Sequence, residues 1–321
     1  MSLAGRLLRA GCRAGAVVLC LLGCAGRPPA AAASPLPGAS AAARQDASQE
    51  LSRQLVGGLS EHCVRAGDTL LAIAARYGEP LARLLRDNGI DTRTRLRPGQ
   101  CLRIDNPQVV PPGPADGVLI NLPQRMLFLR RGGRLEAAWP VAVGRADWPT
   151  PLGRFRVTQM RRDPVWHVPV SIQEEMRREG KPVLREVPSG PDNPLGHSWI
   201  GLDAVGYGMH GTNAPASIHS FRTHGCVRLN DDHATQLFQA VRPGVPVHII
   251  YRTWLLAELP GGQLWLQANP DPYHRGSARA SLEQLRALAA RLDLETRIDW
   301  PLAQRLLQAS DGLAARIDRS E

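Results

Sequence analysis

Gly117-Val118-Leu119-Ile120-Asn121-Leu122 is followed by Met126-Leu127-Phe128-Leu129, the turn Arg131-Gly132-Gly133, and Ala138-Trp139-Pro140-Val141-Ala142-Val143. Short apolar runs rich in Val, Ile and aromatics, broken by a glycine turn, read as strands and a hairpin. Phe155-Arg156-Val157-Thr158 and Val245-Pro246-Val247-His248-Ile249-Ile250-Tyr251 continue the pattern. The region is therefore expected to be a mostly-β sandwich or barrel, without the helices of a βαβ repeat. The chain of 321 residues, 43% hydrophobic, has enough apolar material for two domains or so, which excludes a wholly disordered chain. With 31 Gly, 27 Pro and only 5% aromatic residues, one long helical bundle is excluded as well.

Two segments inside this β region concentrate reactive residue types. They are Gly208-Met209-His210-Gly211-Thr212-Asn213-Ala214-Pro215-Ala216-Ser217-Ile218 and Thr223-His224-Gly225-Cys226-Val227-Arg228-Leu229. A thiolate is the reactive form of Cys, and a neighbouring imidazole can take its proton in acyl transfer. A glycine before the Cys leaves room for backbone N–H groups to approach a developing oxyanion. A zinc site built from His210, His219, His224 and Cys226 is the competing reading, but there is no CxxC pair and no HExxH segment. A buried, inert Cys226 is the other alternative.

The two segments resemble the L,D-transpeptidase (YkuD) catalytic domain of the ErfK/YbiS/YcfS/YnhG type, in which a His precedes [S/T]-H-G-C across a short loop. The likeness extends through Trp166-His167-Val168-Pro169, Ser171-Ile172 and Gly190-Pro191-Asp192-Asn193-Pro194-Leu195-Gly196, so it spans residues 117–251. It implies that Cys226 is the nucleophile and His210 the proton acceptor and donor. His224 and Gly225 then shape the turn, with the N–H groups of Gly225 and Cys226 as oxyanion donors. Arg228 matches the family's Arg after the Cys, where it either orients a substrate carboxylate or makes a structural salt bridge. One departure is His219, which follows Ile218 where the family often has Gly; it either alters access or is simply solvated. The reaction implied is a thioester-mediated transfer on peptidoglycan tetrapeptide stems, giving 3-3 cross-links or attaching a lipoprotein to the wall. A water-resolved carboxypeptidase or hydrolase of the same fold is the alternative.

Residues 61–105 form a separate unit. Glu61-His62-Cys63-Val64 reads as a strand, and Asp68 or Thr69 caps a helix bearing Leu70, Ile73, Ala74 and Tyr77. Pro80 opens a second helix with Leu81, Leu84 and Leu85, and Cys101-Leu102-Arg103-Ile104 is a last strand. This βααβ order, with GDTL, ARYG and LRPGQ at its joints, resembles a LysM domain, which implies binding to peptidoglycan glycan. A non-catalytic wall-binding protein acting through this module alone is the reading from another functional class. The resemblance makes the first and last strands neighbours, so Cys63 and Cys101 become a disulfide candidate in an oxidising compartment.

The first 24 residues, with Arg6, Arg9 and Arg13 before the apolar run Ala14–Leu22, have the layout of a secretory signal peptide. Leu21-Leu22-Gly23-Cys24 resembles a lipobox and makes Cys24 a lipidation candidate, while the Ala30–Ala33 tract offers ordinary cleavage sites. Residues 25–60 read as an Ala/Pro-rich linker, 106–114 as a Pro-rich connector, and 252–321 as a helical extension with Leu282, Leu285, Leu288, Ala289 and Leu292 on one face. The fold class expected is thus multidomain α+β: a small βααβ module, a mostly-β catalytic domain and a helical tail. Lys and Arg outnumber Asp and Glu by 39 to 29, and Lys181 is the one lysine, so an anionic partner is expected. An exported chain points that charge at the envelope polymer, not at nucleic acid, with membrane contact only through a lipid anchor. No cofactor loop of the GxxxxGK[ST] or strand-linked GxGxxG kind is present, and thioester chemistry needs no cofactor.

Overall fold

The structure, a computed structural model, describes residues 50–319. The leader, Cys24 and the tract up to residue 49 lie outside the described residues. The chain enters through β1 (Leu55–Val56) and β2 (Leu59–Cys63), so the stretch read from composition as the end of a linker is bonded strand. Unlike the Ala/Pro tract, it carries side chains that can be buried: Leu55 packs against Val109, Leu255 and Ala257. Ser52 is 3% exposed, and its hydroxyl donates to the Val110 carbonyl at 2.6 Å.

Helix α1 (Leu70–Tyr77) starts where Thr69 Oγ1 accepts the Ala72 N–H at 3.1 Å, and stops at Gly78 in the left-handed region. Helix α2 (Leu81–Asp87) follows Pro80. Strand β3 (Cys101–Asp105) pairs antiparallel with β2 and sets Cys101 opposite Cys63. A disulfide joins the two across a separation of 38 residues. Closing a loop of that length stabilises a module with so small a core by about 4 kcal/mol in the chain-entropy account. That core consists of Val64, Ile73, Ala74, Leu84, Leu102 and Ile104. The module is docked, not tethered. Helix α1 packs on residues 215–217, and Arg76 makes a two-pronged pair with Asp232 at 3.2 and 2.5 Å.

The connector is also more ordered than its prolines suggest, because β4 (Gln108–Val109) pairs with β1 and both its residues are buried. After it come β5 (Gly117–Asn121), β6 (Met126–Arg131), β7 (Arg134–Gly144) and β8 (Gly153–Arg162). A small hairpin, β9 (Trp166–His167) and β10 (Glu186–Val187), brackets helix α3 (Val170–Arg178). Then follow β11 (Ser198–Leu202), β12 (Gly208–His210), β13 (Phe221–Thr223), β14 (Val227–Leu229), helix α4 (Asp231–Ala240) and β15 (Pro246–Ile250).

Nine of these strands form one sheet in the order β13-β7-β14-β12-β11-β8-β15-β5-β6, and β6 also pairs with β7. That extra pairing closes the sheet into a barrel. Strand β7 makes closure possible by serving two neighbours: its first half pairs with β6 up to Pro140, and its second half pairs with β14 and β13. The switch falls at Pro140, which has no N–H to leave unpaired. Alternate residues such as Val118, Ile120, Leu127, Val141 and Val227 fill the interior, while Leu119, Met126 and Phe128 face a second cluster.

The C-terminal region corrects the expectation of a helical tail. It is a three-stranded antiparallel sheet of β16 (Trp254–Glu258), β17 (Leu264–Ala268) and β18 (Ala314–Arg316), with helices α5 (Ala278–Arg291) and α6 (Trp300–Ala309) packed on it. Trp254 and Leu256 face the helices, whereas Leu255 and Ala257 face Val109 and Leu55. A strand buried on both faces shows no polar alternation, which is why the period of two is hidden in the sequence. Gln267, fully buried, ties this sheet to the rest, its amide donating to Gln108 Oε1 at 2.6 Å and to the Gly312 carbonyl at 2.8 Å.

Candidate functional site

His210 closes β12 and Cys226 immediately precedes β14, and the two strands run parallel side by side, with Met209 opposite Val227 and His210 opposite Arg228. Everything between them, the 3₁₀ turn Pro215–Ser217 and β13 included, is an excursion from adjacent strand ends. His210 is 4% exposed and its ring stacks on Trp199 at 5.9 Å between centroids. Its Nδ1 donates to the Gly211 carbonyl at 2.7 Å, so Nε2 is the nitrogen left to accept a proton. Burial, aided by the Arg228 cation, pushes this imidazole down to about 3. The ring is thereby held neutral around neutral pH.

Cys226 is the free thiol of the described region and is half-buried. Its Sγ donates to the Gly206 carbonyl at 3.6 Å. Burial pushes the thiol up to about 11; a hydrogen bond from the Gly208 N–H and the Arg228 charge pull the other way without prevailing. The turn before it depends on Gly225, which has φ 99°; a Cβ there would lie 2.5 Å from Tyr207 Cε1. The Gly225 N–H donates to Thr223 Oγ1 at 3.2 Å, and that hydroxyl donates to the Cys226 carbonyl at 2.6 Å. The Gly225 N–H is therefore engaged within the turn, which leaves the Cys226 N–H as the sequence-expected oxyanion donor without that tie.

His224 turns away from the thiol. Its Nε2 donates to the Glu175 carboxylate, and its ring meets Trp148 edge-on at 4.7 Å. Arg145 completes the group, donating to Glu175 Oε1 at 2.7 Å and lying 3.2 Å from His224 Nε2. Arg145 and His224 together hold the Glu175 carboxyl below its usual range. Helix α3, which carries Glu175, is thereby fastened to the His224-Gly225-Cys226 turn.

Arg228 is half-buried, and its Nη1 donates to Ser217 Oγ at 2.9 Å while Nε has no partner. It makes no ion pair with a carboxylate among the described residues, so the structural salt bridge weighed from sequence is absent there. His219 is not solvated: it sits half-buried at φ 55° with Nε2 sheltered and unpartnered, and Arg125 Nη1 donates to its carbonyl at 3.4 Å. Burial and the Arg125 charge hold this ring far below its ordinary value.

Sequence reasoning missed Glu175, Arg145, Trp148, Trp199 and Tyr207. Tyr207 directly precedes the Gly208–His210 stretch and Trp199 stands two residues after His197 in a strand-like run, whereas Glu175, Arg145 and Trp148 are distant in sequence and bear no motif. Among the described residues no group of three or more His, Cys, Asp or Glu side chains is arranged to hold a metal ion.

A closed, mostly-β barrel with a Cys and a His on neighbouring parallel strand ends, joined to a small disulfide-bonded α/β module, defines the class. The L,D-transpeptidase catalytic domain family matches residues 115–249, and the LysM domain family matches residues 62–105. The probable L,D-transpeptidase YcfS of Escherichia coli (strain K12) is 34% identical over 216 residues, 65% of this chain and 67% of that protein. The probable L,D-transpeptidase ErfK/SrfK of Salmonella typhimurium is 32% identical over 212 residues, covering 65% and 68% respectively. The chain belongs to the L,D-transpeptidase family and is an enzyme of that class.

Proposed function

We propose that Cys226 is the nucleophile and His210 the proton acceptor and donor of an L,D-transpeptidase that acts on tetrapeptide stems of peptidoglycan. The observation that carries this reading is the parallel pairing of β12 with β14, with His210 Nδ1 tied to Gly211 so that Nε2 is free. The pair rests as thiol and neutral imidazole. As Sγ attacks the carbonyl of the third stem residue, its proton passes to His210 Nε2, and the N–H of Cys226 faces the developing oxyanion. Collapse breaks the amide bond; the terminal D-alanine amine leaves with the proton from His210, and the stem is held as a thioester. An acceptor amine then gives a proton to His210, attacks the thioester and restores the thiol. The energy of the cleaved amide is kept in the thioester, so no cofactor enters.

Arg228, with a guanidinium N–H unpartnered and no carboxylate beside it, is suited to a carboxylate of the stem. The acceptor is a second stem, giving a 3-3 cross-link, or the side chain of a lipoprotein. Glycan is proposed to lie in the cleft of about 500 Å³ on the small module, lined by Asp68, Thr69, Leu71, Thr94 and Arg95. The leader and the excess of basic over acidic residues support an envelope location, with Cys24 as the candidate lipid anchor and cleavage in the Ala30–Ala33 tract as the alternative.

Intact-mass analysis with disaccharide-tetrapeptide tests the reading. A stem adduct on the wild type, absent from Cys226→Ala and converted to a dimer by added stem, is expected. An adduct resolved by water alone makes the enzyme a carboxypeptidase, and one resolved only by a lipoprotein peptide makes it an anchoring enzyme. No adduct on the folded wild type overturns the nucleophile assignment.

A further inference from the structure

Both matched regions end before residue 250, yet a side chain from beyond them reaches the turn beside the thiol. Tyr273, in the link between β17 and α5, donates its hydroxyl hydrogen to the Gly144 carbonyl at 2.8 Å and accepts the Thr150 N–H at 3.2 Å. One phenol thus bridges the two ends of the 144–150 turn, which is closed a second time by the Gly144 N–H donating to Thr150 Oγ1 at 2.8 Å.

That turn touches the reactive segment at three points. Gly144 pairs with Thr223, and the Arg145 N–H donates to the Thr223 carbonyl at 3.1 Å. Thr223 in turn holds both the Gly225 N–H and the Cys226 carbonyl through its hydroxyl. Arg145 and Trp148 contact His224, and the Pro149 carbonyl lies against Gly225, 3.3 Å from the place a Cβ would take. Tyr273 is itself held from behind. Its ring stacks on Tyr251 at 5.2 Å, its N–H donates to the Tyr251 hydroxyl at 3.0 Å, and that hydroxyl donates to Asp271.

We propose that Tyr273 is a positioning residue for the Cys226 thiol, and that the C-terminal module takes part in the reaction through this one hydroxyl. It acts through the 144–150 turn and Thr223, not on the substrate. A nucleophile must be held within a fraction of an ångström of its attack geometry, so loosening the turn that braces it lowers the rate without unfolding the barrel. The proposal rests on the assignment of Cys226 above.

The test uses the full chain with Tyr273→Phe, which keeps the ring stack and removes only the hydroxyl, and with Thr150→Val, which removes the second closure. Three quantities are read: the melting temperature, the rate of stem adduct formation, and the pH profile of Cys226 alkylation by iodoacetamide. Tyr273→Phe is expected to melt within a few degrees of wild type while acylation falls roughly 10- to 100-fold and the alkylation profile shifts. Thr150→Val should slow the same step, and the double variant should lose less than the product of the two. Wild-type acylation and alkylation in a folded Tyr273→Phe overturn the proposal. Where Tyr273→Phe melts too low for assay at ordinary temperature, both rates are read beside wild type at a temperature where circular dichroism shows it folded, and wild-type values there overturn the proposal. If the wild type alkylates at Cys226 but never acylates, the assignment of function fails, and the alkylation profiles of the two variants alone decide the role of Tyr273.

Discussion

His210 Nδ1 lies 2.7 Å from the Gly211 carbonyl oxygen, and that one contact decides which ring nitrogen faces the chemistry. A carbonyl only accepts, so Nδ1 carries the hydrogen and Nε2 the lone pair. With the imidazole held down to about 3 and the Cys226 thiol pushed up to about 11, the two do not exchange a proton at rest. In the proposed mechanism the thiol is then activated only as it attacks, unlike a preformed thiolate–imidazolium pair. The alkylation rate of Cys226 should therefore climb steadily through pH 9 and 10 with its midpoint near 11 and show no step between pH 6 and 8. A plateau reached by pH 8 would falsify the neutral resting pair.

Arg228 stands between these two groups electrostatically, lowering both of their pKa values. Its own guanidinium has Ser217 as a neutral partner and no counter-charge, an expensive arrangement for a half-buried cation unless an anion arrives. Arg228→Lys keeps the charge but loses the planar fork, so it should raise KM for the stem roughly 10- to 100-fold, the worth of a charge-assisted hydrogen bond, with little change in thiol alkylation. Arg228→Met should raise KM similarly and also move the alkylation midpoint upward. An unchanged KM in both variants removes Arg228 from substrate binding.

Glu175 ties helix α3 to the His224 turn, and the helix has no buried residue to hold it otherwise. Glu175→Gln keeps the size but gives up the two charge-assisted bonds to Arg145 and His224. It is expected to lower kcat/KM by about tenfold while the melting temperature changes little, since the site is at the surface of the barrel. Steady-state kinetics beside a melting curve separate the two effects, and equal kcat/KM in the variant shows that α3 needs no anchor.

The barrel was legible from its strands because Val118, Ile120, Leu127 and Val141 alternate with residues of the second cluster between glycine turns. Cys226 and His210 could be singled out because acyl-transfer chemistry needs those residue types close to a glycine, and the structure adds that His210 closes one of two adjacent parallel strands and Cys226 precedes the other. What the pattern did not carry falls into two kinds. Trp254–Glu258 and Leu264–Ala268 are apolar on both faces, so a strand there is indistinguishable from a helix segment. Glu175, Arg145 and Tyr273 act through single long-range bonds, and a bond between positions 175 and 224 leaves no spacing to read.

Glu79 offers the sharpest link between pH and stability. It is 2% exposed between α1 and α2; its Oε1 accepts the Asp105 N–H at 3.4 Å and its Oε2 has no partner. Burial pushes its carboxyl from 4.5 up to about 7. Between those two values the unfolded chain has released the proton while the folded chain keeps it, so stability falls as pH rises through this window. His210 and His233, held down to about 3 and about 4, act with the opposite sign, costing stability as pH falls below 6.5. The total curve mixes these contributions, but the difference between wild type and Glu79→Gln isolates one. Glu79→Gln should match the wild type near pH 4 and exceed it at pH 8 by on the order of 3 kcal/mol, the worth of the shift. Urea melts at the two pH values measure it directly. A difference that is the same at both would mean that the Glu79 carboxyl is unshifted in the folded protein, with the neighbouring Arg83 offsetting burial.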